Sequence, residues 1–460
     1  MCYTFLMNKF GFIPSIVLAA TCLTLLPGSA HTLAPTPPLG WNSWDAYGLT
    51  IDEQQFRDNA TVLVSLEQFG WKYAVIDEGW YMTNPEGKSL EQKQYLWNGN
   101  GLLIPVPTRF PSAANGAGFR PLAAWLHSQG LKFGIHIVRG IPRQVVAANL
   151  PIAGAQFHAA DAADITSACP WDEGNWGVKD NAAGQAYYDS MLKLYAYWGV
   201  DFLKVDCISN NPYRPTEIRQ IAEAIRKTGR PIVLSLSPGP TNLSNADIVI
   251  KYAQMSRIAD DHWDLWKNHD TKSEFPFGLS EEFDRIAAWN KYSRPGFWPD
   301  PDMLPEGSLT PHPGWGQPRQ TRYTQDEQRT EFTLWAISRS PLIYGGNLTK
   351  LDDFNRSLLT NKEALEIDQK ADKSGPAVMP MNDGSPLPWR AWYAHVGSKS
   401  YAAVFNVSDE PVKADVAWLS FHVTDKPHAA YDVWAGKKIP VSKTLHVELA
   451  PHACALYRVE

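Results

Sequence analysis

The stretch Gly199-Val-Asp-Phe-Leu-Lys-Val-Asp206-Cys207 decides the fold. After the glycine, Val200, Phe202, Leu203 and Val205 form a short apolar, β-branched run, the pattern of a parallel strand buried on both faces. The run ends at a carboxylate. In a barrel of parallel strands the C-terminal strand ends carry the chemistry, so Asp206 is a candidate nucleophile. Lys204, two residues earlier, falls on the same side of the pleat and sets a cation beside it. Taken alone, an aspartate in this place also reads as a cap for the following loop or helix.

Outward from this stretch, strand-like apolar runs alternate with amphipathic helical ones. Upstream, the first strand ends at Leu39-Gly40-Trp41-Asn42-Ser43-Trp44. The second, Tyr73 to Ile76, ends at Asp77-Glu78-Gly79-Trp80, and the third, Lys132 to Val138, ends near His136 and Arg139. Downstream, Ile232 to Ser237, Ile248 to Ser256, Phe297 to Met303 and Leu342 to Tyr344 supply strands five to eight. Thr50 with Glu53, Thr324 with Glu327 and Thr360 with Glu363 have capping-box spacing, and Gly130 and Gly229 end helices over Phe119 to Gln129 and Pro215 to Thr228. Gln185 to Trp198 is also helical. The segment Gly140 to Asp180, with Cys169-Pro170-Trp171-Asp172, carries too much Gly and Pro for a helix and is expected to be a functional loop. Eight strand-then-helix units predict a (β/α)8 TIM barrel over residues 31–372. Past Pro376 the pattern changes to short strands and turns, among them Tyr401 to Val407, Val412 to Leu419 and Ala455 to Val459. That predicts a C-terminal antiparallel β-sandwich over 373–460.

With 460 residues, 20% charged and 44% hydrophobic, the chain has the composition of an ordinary globular protein. A net charge of only −6 and no long basic run give no sign of nucleic acid or an anionic membrane as partner. Residues 1–30 read as an export signal, with Lys9, an apolar stretch from Phe12 to Leu26 broken by Pro14, and Gly28-Ser29-Ala30 before the expected cleavage. The apolar stretch is too short for a stable membrane span. The mature protein is therefore expected to be soluble and secreted or periplasmic. Cys2 and Cys22 fall in that signal, leaving Cys169, Cys207 and Cys454. Cys169 and Cys207 either bridge in an oxidising compartment or stay as buried thiols.

Polar groups collect at the predicted strand ends: Asp77, Glu78, His136, Lys204, Asp206, Ser235, Arg257, Asp260, Asp261 and Asp302. Around one mouth, such a set suits a neutral polyhydroxylated substrate, an oligosaccharide or polysaccharide. Acids accept from vicinal hydroxyls, cations donate to others, and the 19 tryptophans offer faces for a sugar ring. Two carboxylates on different strands can divide the roles of nucleophile and acid/base. No closely spaced histidine pair suggests metal catalysis, and neither metal nor cofactor is expected.

Several longer motifs occur in order: Pro37-Pro38-Leu39-Gly40-Trp41-Asn42-Ser43-Trp44, the acidic end of strand two with Trp80, Lys204-Val205-Asp206, Arg257 four residues before Asp261, Pro301-Asp302-Met303-Leu304, and Trp335-Ala-Ile-Ser-Arg-Ser-Pro-Leu342. On these the chain resembles glycoside hydrolase family 27, the α-galactosidases and α-N-acetylgalactosaminidases, over almost all of the mature sequence. The resemblance implies a retaining exo-glycosidase acting by double displacement. Asp206 would attack the anomeric carbon, with Lys204 keeping it ionised and binding a hydroxyl. Asp261 would protonate the departing oxygen and later activate water, with the adjacent Asp260 as the alternative. Arg257 would hold the 2-hydroxyl, Asp77 and Glu78 the far hydroxyls, Trp44 the ring, and Asp302 the region near C2. His136 and Ser235 complete the substrate-binding set.

Where the family usually has two aspartates at the end of strand two, the second is Glu78 here. Its extra methylene carries the carboxyl about 1.5 Å further into the pocket, where it would crowd a hydroxymethyl group at C5. β-L-arabinopyranose, which is α-D-galactose without C6, avoids that clash. His136 stands in place of a tyrosine, and Ser235-Leu-Ser237-Pro238 lacks the recognition loop of the animal enzymes. The expected activity is therefore release of terminal α-D-galactosyl residues, with β-L-arabinopyranosidase or isomaltose-releasing α-glucan hydrolase activity as the alternatives. A sugar-binding protein on a retired barrel is the non-enzymatic alternative, against which the intact Lys204, Asp206, Arg257 and Asp261 argue.

Overall fold

The computed structural model describes residues 32–87, 92–270, 272, 275–309, 317–377, 387–423 and 427–460; the expected export signal, 1–30, lies outside them. Residues Leu33–Glu460 form one compact unit. Eight strands join in a single sheet: β1 (Leu39–Asn42), β2 (Tyr73–Ile76), β3 (Lys132–Val138), β4 (Phe202–Asp206), β5 (Val233–Leu236), β6 (Met255–Arg257), β7 (Trp298–Asp300) and β8 (Leu342–Tyr344). Every pairing is parallel, in the order β8-β1-β2-β3-β4-β5-β6-β7. Leu304, just past β7, closes the ring. Its N–H donates to the Ile343 carbonyl at 2.8 Å, and its own carbonyl accepts from the Gly345 N–H at 3.0 Å. A continuous apolar run such as Val-Leu-Ser-Leu in β5 suits this position because both faces are covered, one by the barrel interior and one by helices.

The helices that follow the strands include α1 (Glu53–Leu66), α2 (Arg120–Ser128), α3 (Ala182–Trp198), α4 (Pro215–Thr228), α5 (Ala246–Tyr252), α6 (Leu279–Trp289), α7 (Gln325–Ser338) and α8 (Lys362–Lys370). The Thr324–Glu327 capping box forms, and Gly229 ends α4 in the left-handed conformation. Two other caps differ by one or two residues. Helix α1 starts from an Asp52–Gln55 box, because Thr50 belongs to a preceding 3-10 turn and Glu53 is paired with Arg57 at 2.7 Å. Helix α8 is capped by Asn361, whose side chain accepts from the N–H groups of Glu363 and Ala364.

The expected strand Ile248–Ser256 is mostly helix. Ala246 and Val249, three residues apart, face inward on α5 while Ile248 is exposed, and only Met255–Arg257 joins the sheet. A short apolar run has no period long enough to separate the two conformations. The segment between β3 and β4 is likewise more ordered than a loop. It carries short helices at Arg143–Ala147 and Ala159–Ala162 and a small antiparallel sheet of Ile141–Pro142, Asn175–Val178 and Ala163–Ala168.

Beyond the barrel, β9 (Lys373–Pro376), β10 (Trp389–Val396), β11 (Lys399–Asn406), β12 (Val412–Ala417), β13 (Ala430–Asp432), β14 (Lys437–Ile439), β15 (Thr444–Leu449) and β16 (Cys454–Val459) form two antiparallel sheets. One has the order β9-β10-β11-β16-β13-β14, and β12 pairs with β15. Val404, Val416, Leu445, Val447 and Trp418 fill the space between them. The other face of the larger sheet continues the barrel core, with Phe283 of α6 against Trp392 and Phe405 at ring distances of 5.6 and 5.3 Å. Trp434 packs on Phe332 of α7 and donates to Thr333 Oγ1. Trp418 and Trp434 are thus packing residues.

Candidate active site

Register brings His136, Lys204 and Ser235 level with one another on β3, β4 and β5. Lys204 Nζ lies 2.9 Å from Asp77 Oδ2 at the end of β2. Asp77 is buried, and its carboxylate also accepts from Asn42 Nδ2 at 2.7 Å and the Glu78 N–H at 2.9 Å, while its own N–H donates to Ser43 Oγ. The Asn42-Ser43 pair of the first motif thus serves to aim Asp77. Burial opposes the charge on Asp77, but Lys204, His136 and these donors outweigh it and hold the carboxyl far below its ordinary range. Burial likewise opposes the charge on Lys204, and Asp77, Asp206 and Asp302 raise its affinity for the proton in spite of it.

Asp206 accepts the Cys207 N–H at 2.6 Å on Oδ1, and Oδ2 lies 3.4 Å from His136 Nε2. Cys207 has φ +63, a left-handed conformation that costs a residue with a side chain energy and persists only where surrounding bonds enforce it. Besides the N–H bond to Asp206, two further bonds hold it there: a disulfide to Cys169, and Arg139 Nε donating to the Cys207 carbonyl at 2.7 Å. Arg139 is itself fixed by Glu217 at 2.7 Å. The cysteines near the site are therefore bridged rather than free.

The second acidic group stands at β6 and β7. Arg257 is buried, and its Nη2 bonds Asp302 Oδ2 at 2.7 Å and Asp261 Oδ1 at 3.3 Å. Asp302, at φ +106, also accepts the N–H groups of His262 and Met303. Asp260 Oδ1 accepts the Asp261 N–H at 2.8 Å. Asn42, Lys204, Ser235, Arg257, Asp302 and Met303 line one cavity, so residues from five strand ends converge. Trp44 is half-buried at the start of a short helix, its N–H bonded to Asn42 Oδ1. Trp80 is not at the site. It is fully buried in an aromatic cluster with Tyr81, Phe119, Tyr195 and Trp198, and its Nε1 donates to the His136 carbonyl.

Glu78 hydrogen-bonds Asp172 of the β3–β4 segment, a partner that sequence reasoning missed. Lys93 and Tyr95 stand behind Asp172. Asn42 was also missed as a site residue, although it sits in a quoted motif; Lys93, Tyr95 and Asp172 carry no local signal, since their role depends on the loops meeting. Among the described residues, no cluster of three or more His, Cys, Asp or Glu side chains is arranged for a metal ion, and no helix is long and apolar enough to cross a membrane.

Residues 171–370 match the family model described as alpha galactosidase A, and 388–459 match the alpha galactosidase C-terminal β-sandwich domain. A β-L-arabinopyranosidase from Geobacillus stearothermophilus is 39% identical, with a TM-score of 0.85, over 93% of this chain and 97% of that one. The chain belongs to glycoside hydrolase family 27. Membership makes it a retaining glycoside hydrolase with the barrel and sandwich described above. Among curated relatives of this family 27 hydrolase, alpha-galactosidase A of Cellvibrio japonicus is 26% identical over 443 residues, 93% of this chain and 92% of the relative. Alpha-galactosidase 2 of Arabidopsis thaliana is 27% identical over 431 residues, 92% of this chain and 89% of the relative.

Proposed function

We propose that this hydrolase releases a terminal galacto-configured pyranose from oligosaccharide or polysaccharide, and takes β-L-arabinopyranosyl in preference to α-D-galactosyl residues. The observation that carries the preference is Glu78 at the end of β2, beside the Asp77–Lys204 pair. Its added length fills the space a C6 hydroxymethyl group needs. The 39% identity to a β-L-arabinopyranosidase, an enzyme also solved in complex with arabinose, supports the same reading. Release of α-D-galactosyl residues is the second reading, supported by the alpha-galactosidases that match over the whole chain.

In this reading Asp206 attacks the anomeric carbon as the aglycone oxygen departs, and Asp261 supplies that oxygen with a proton. Asp261 then takes a proton from the water that opens the glycosyl–aspartate bond, so configuration is retained. Arg257 and Asp302 hold the 2-hydroxyl region, Asp77 with Lys204 and Glu78 the distal hydroxyls, and Trp44 and His136 the ring. Ser235 lines the floor. The apolar N-terminal stretch and the Cys169–Cys207 bridge support export to an oxidising compartment, outside the cell or in the periplasm.

The test is initial rates on p-nitrophenyl β-L-arabinopyranoside, α-D-galactopyranoside and α-D-glucopyranoside under one set of conditions. The arabinoside is expected to lead the galactoside by about tenfold or more in kcat/KM, the cost of one misfitted group, and Glu78→Asp to narrow that gap. A faster galactoside in the wild type favours the second reading. Inactivity on all three overturns both.

A further inference from the structure

Asp172 lies three residues after the bridged Cys169 and is 4% exposed. Its Oδ1 takes three donors: Lys93 Nζ at 3.0 Å, the Gly174 N–H at 2.9 Å and the Tyr95 hydroxyl at 3.3 Å. Its Oδ2, just as deeply buried, meets no N–H group and no hydroxyl. An ammonium and two further donors on one oxygen mark an ionised carboxylate, and leaving the other oxygen buried without a donor is costly. What hydrogen-bonds this side chain from the β2 side is the Glu78 carboxyl. Two carboxyl groups bond to each other only through a proton, and with Asp172 ionised by its donors that proton belongs to Glu78.

We propose that Asp172 is a positioning residue that keeps Glu78 protonated and fixed in direction, so that Glu78 meets the glycone as a neutral acid. Its hydroxyl is committed to Asp172 Oδ2, and its carbonyl oxygen alone is left to accept from a sugar hydroxyl. Asp77, one residue earlier, is a charged acceptor held by Lys204, so neighbouring acids at one strand end play different parts. Burial and the Asp172 charge push the Glu78 carboxyl well up, while Lys93 and the Gly174 N–H hold Asp172 below its ordinary value against the cost of burial. The other titratable groups facing the pair are Tyr81, Tyr95 and Asp206. An aspartate at 78 would end about 1.5 Å short of Asp172 and lose the bond. The glutamate's length is thus what reaches the inserted segment.

This proposal rests on the reading of the β2 end as the glycone pocket, and two measurements separate the two. The first is the infrared difference spectrum of wild type minus Glu78→Gln in heavy water, as a function of pH. The carbonyl stretch of a protonated carboxyl is expected at neutral pH and lost only on the alkaline side. Its absence at neutral pH overturns the proposal. The second is the pH profile of kcat/KM in Asp172→Asn, whose amide presents an N–H to Glu78 and so favours the carboxylate. The variant is expected to lose about tenfold at neutral pH, mostly in KM, and to recover at acid pH as Glu78 takes up its proton; one lost hydrogen bond of this kind corresponds to such a factor. A uniform loss at all pH values, or an unchanged profile, overturns the positioning role. The infrared band in a protein inert on every glycoside tested would overturn the functional reading and leave the shared proton standing.

Discussion

In the proposed reading Asp206 attacks carbon and Asp261 exchanges protons, roles that call for different surroundings. The Asp206 side chain is 19% exposed, with a backbone N–H on one oxygen and His136 near the other, which orients it and limits access of water. Asp261 is 36% exposed and touches Arg257, so it can exchange with solvent while a cation fixes its place. Asp260 spends an oxygen on the Asp261 N–H. Asp206→Ala and Asp261→Ala are each expected to lower kcat by roughly a thousandfold or more with the fold intact. Azide should restore turnover of an activated glycoside in both, giving an inverted glycosyl azide with Asp206→Ala and a retained one with Asp261→Ala. A retained azide product from Asp260→Ala would reverse that assignment. The spacing of Arg257 and Asp261 was readable along the chain; the pairing of Glu78 with Asp172, 94 positions away, was not.

At the scale of elements, the β3–β4 segment is joined to the end of β4 by the disulfide and by Arg139, which reaches Cys207, Glu217 of α4 and Ser167. The bridge spans 38 residues of sequence and ends one residue past Asp206. Replacing both Cys169 and Cys207 by Ser is expected to lower stability by about 2–4 kcal/mol, read as the denaturant midpoint. It should also lower kcat, because the left-handed turn at Cys207 loses one of its restraints. Reductant should bring the wild type to the same activity and leave the variant unchanged; a midpoint insensitive to both treatments would count against a structural bridge. The strands themselves were legible because an apolar run ending in a carboxylate is a local pattern. Helix α5 was not, because Asp247-Ile-Val-Ile-Lys251 is too short to show which period it follows.

Across the whole molecule, acids are buried in the layer behind the site. Glu306, after β7, hydrogen-bonds Glu331 of α7, and Glu331 Oε1 lies 2.6 Å from His262 Nε2. Burial pushes Glu306 up to about 8, raises Glu331, and brings His262 down to about 3, so the histidine is neutral. The folded state thus keeps a proton on this pair that the unfolded chain releases above its ordinary glutamate value of 4.5. Stability from this source is complete below that value and is lost as pH rises toward about 8, at about 1.4 kcal/mol per pH unit for one proton. The melting temperature of the wild type should therefore fall more steeply than that of Glu306→Gln from weakly acid to weakly alkaline pH. Parallel curves would show that the pair holds no extra proton.

By itself the sequence determined the barrel, the sandwich after it and the acidic strand ends, because strand period, caps and the residue closing each apolar run are properties of adjacent positions. The tertiary structure alone decided that Leu304 closes the ring, that Trp80 packs in the core, that Cys169 meets Cys207 and that Asp172 reaches Glu78. It also decided which acids are charged. Those outcomes depend on distance and burial, and both come into being only when strands and loops far apart in the chain are brought around one axis.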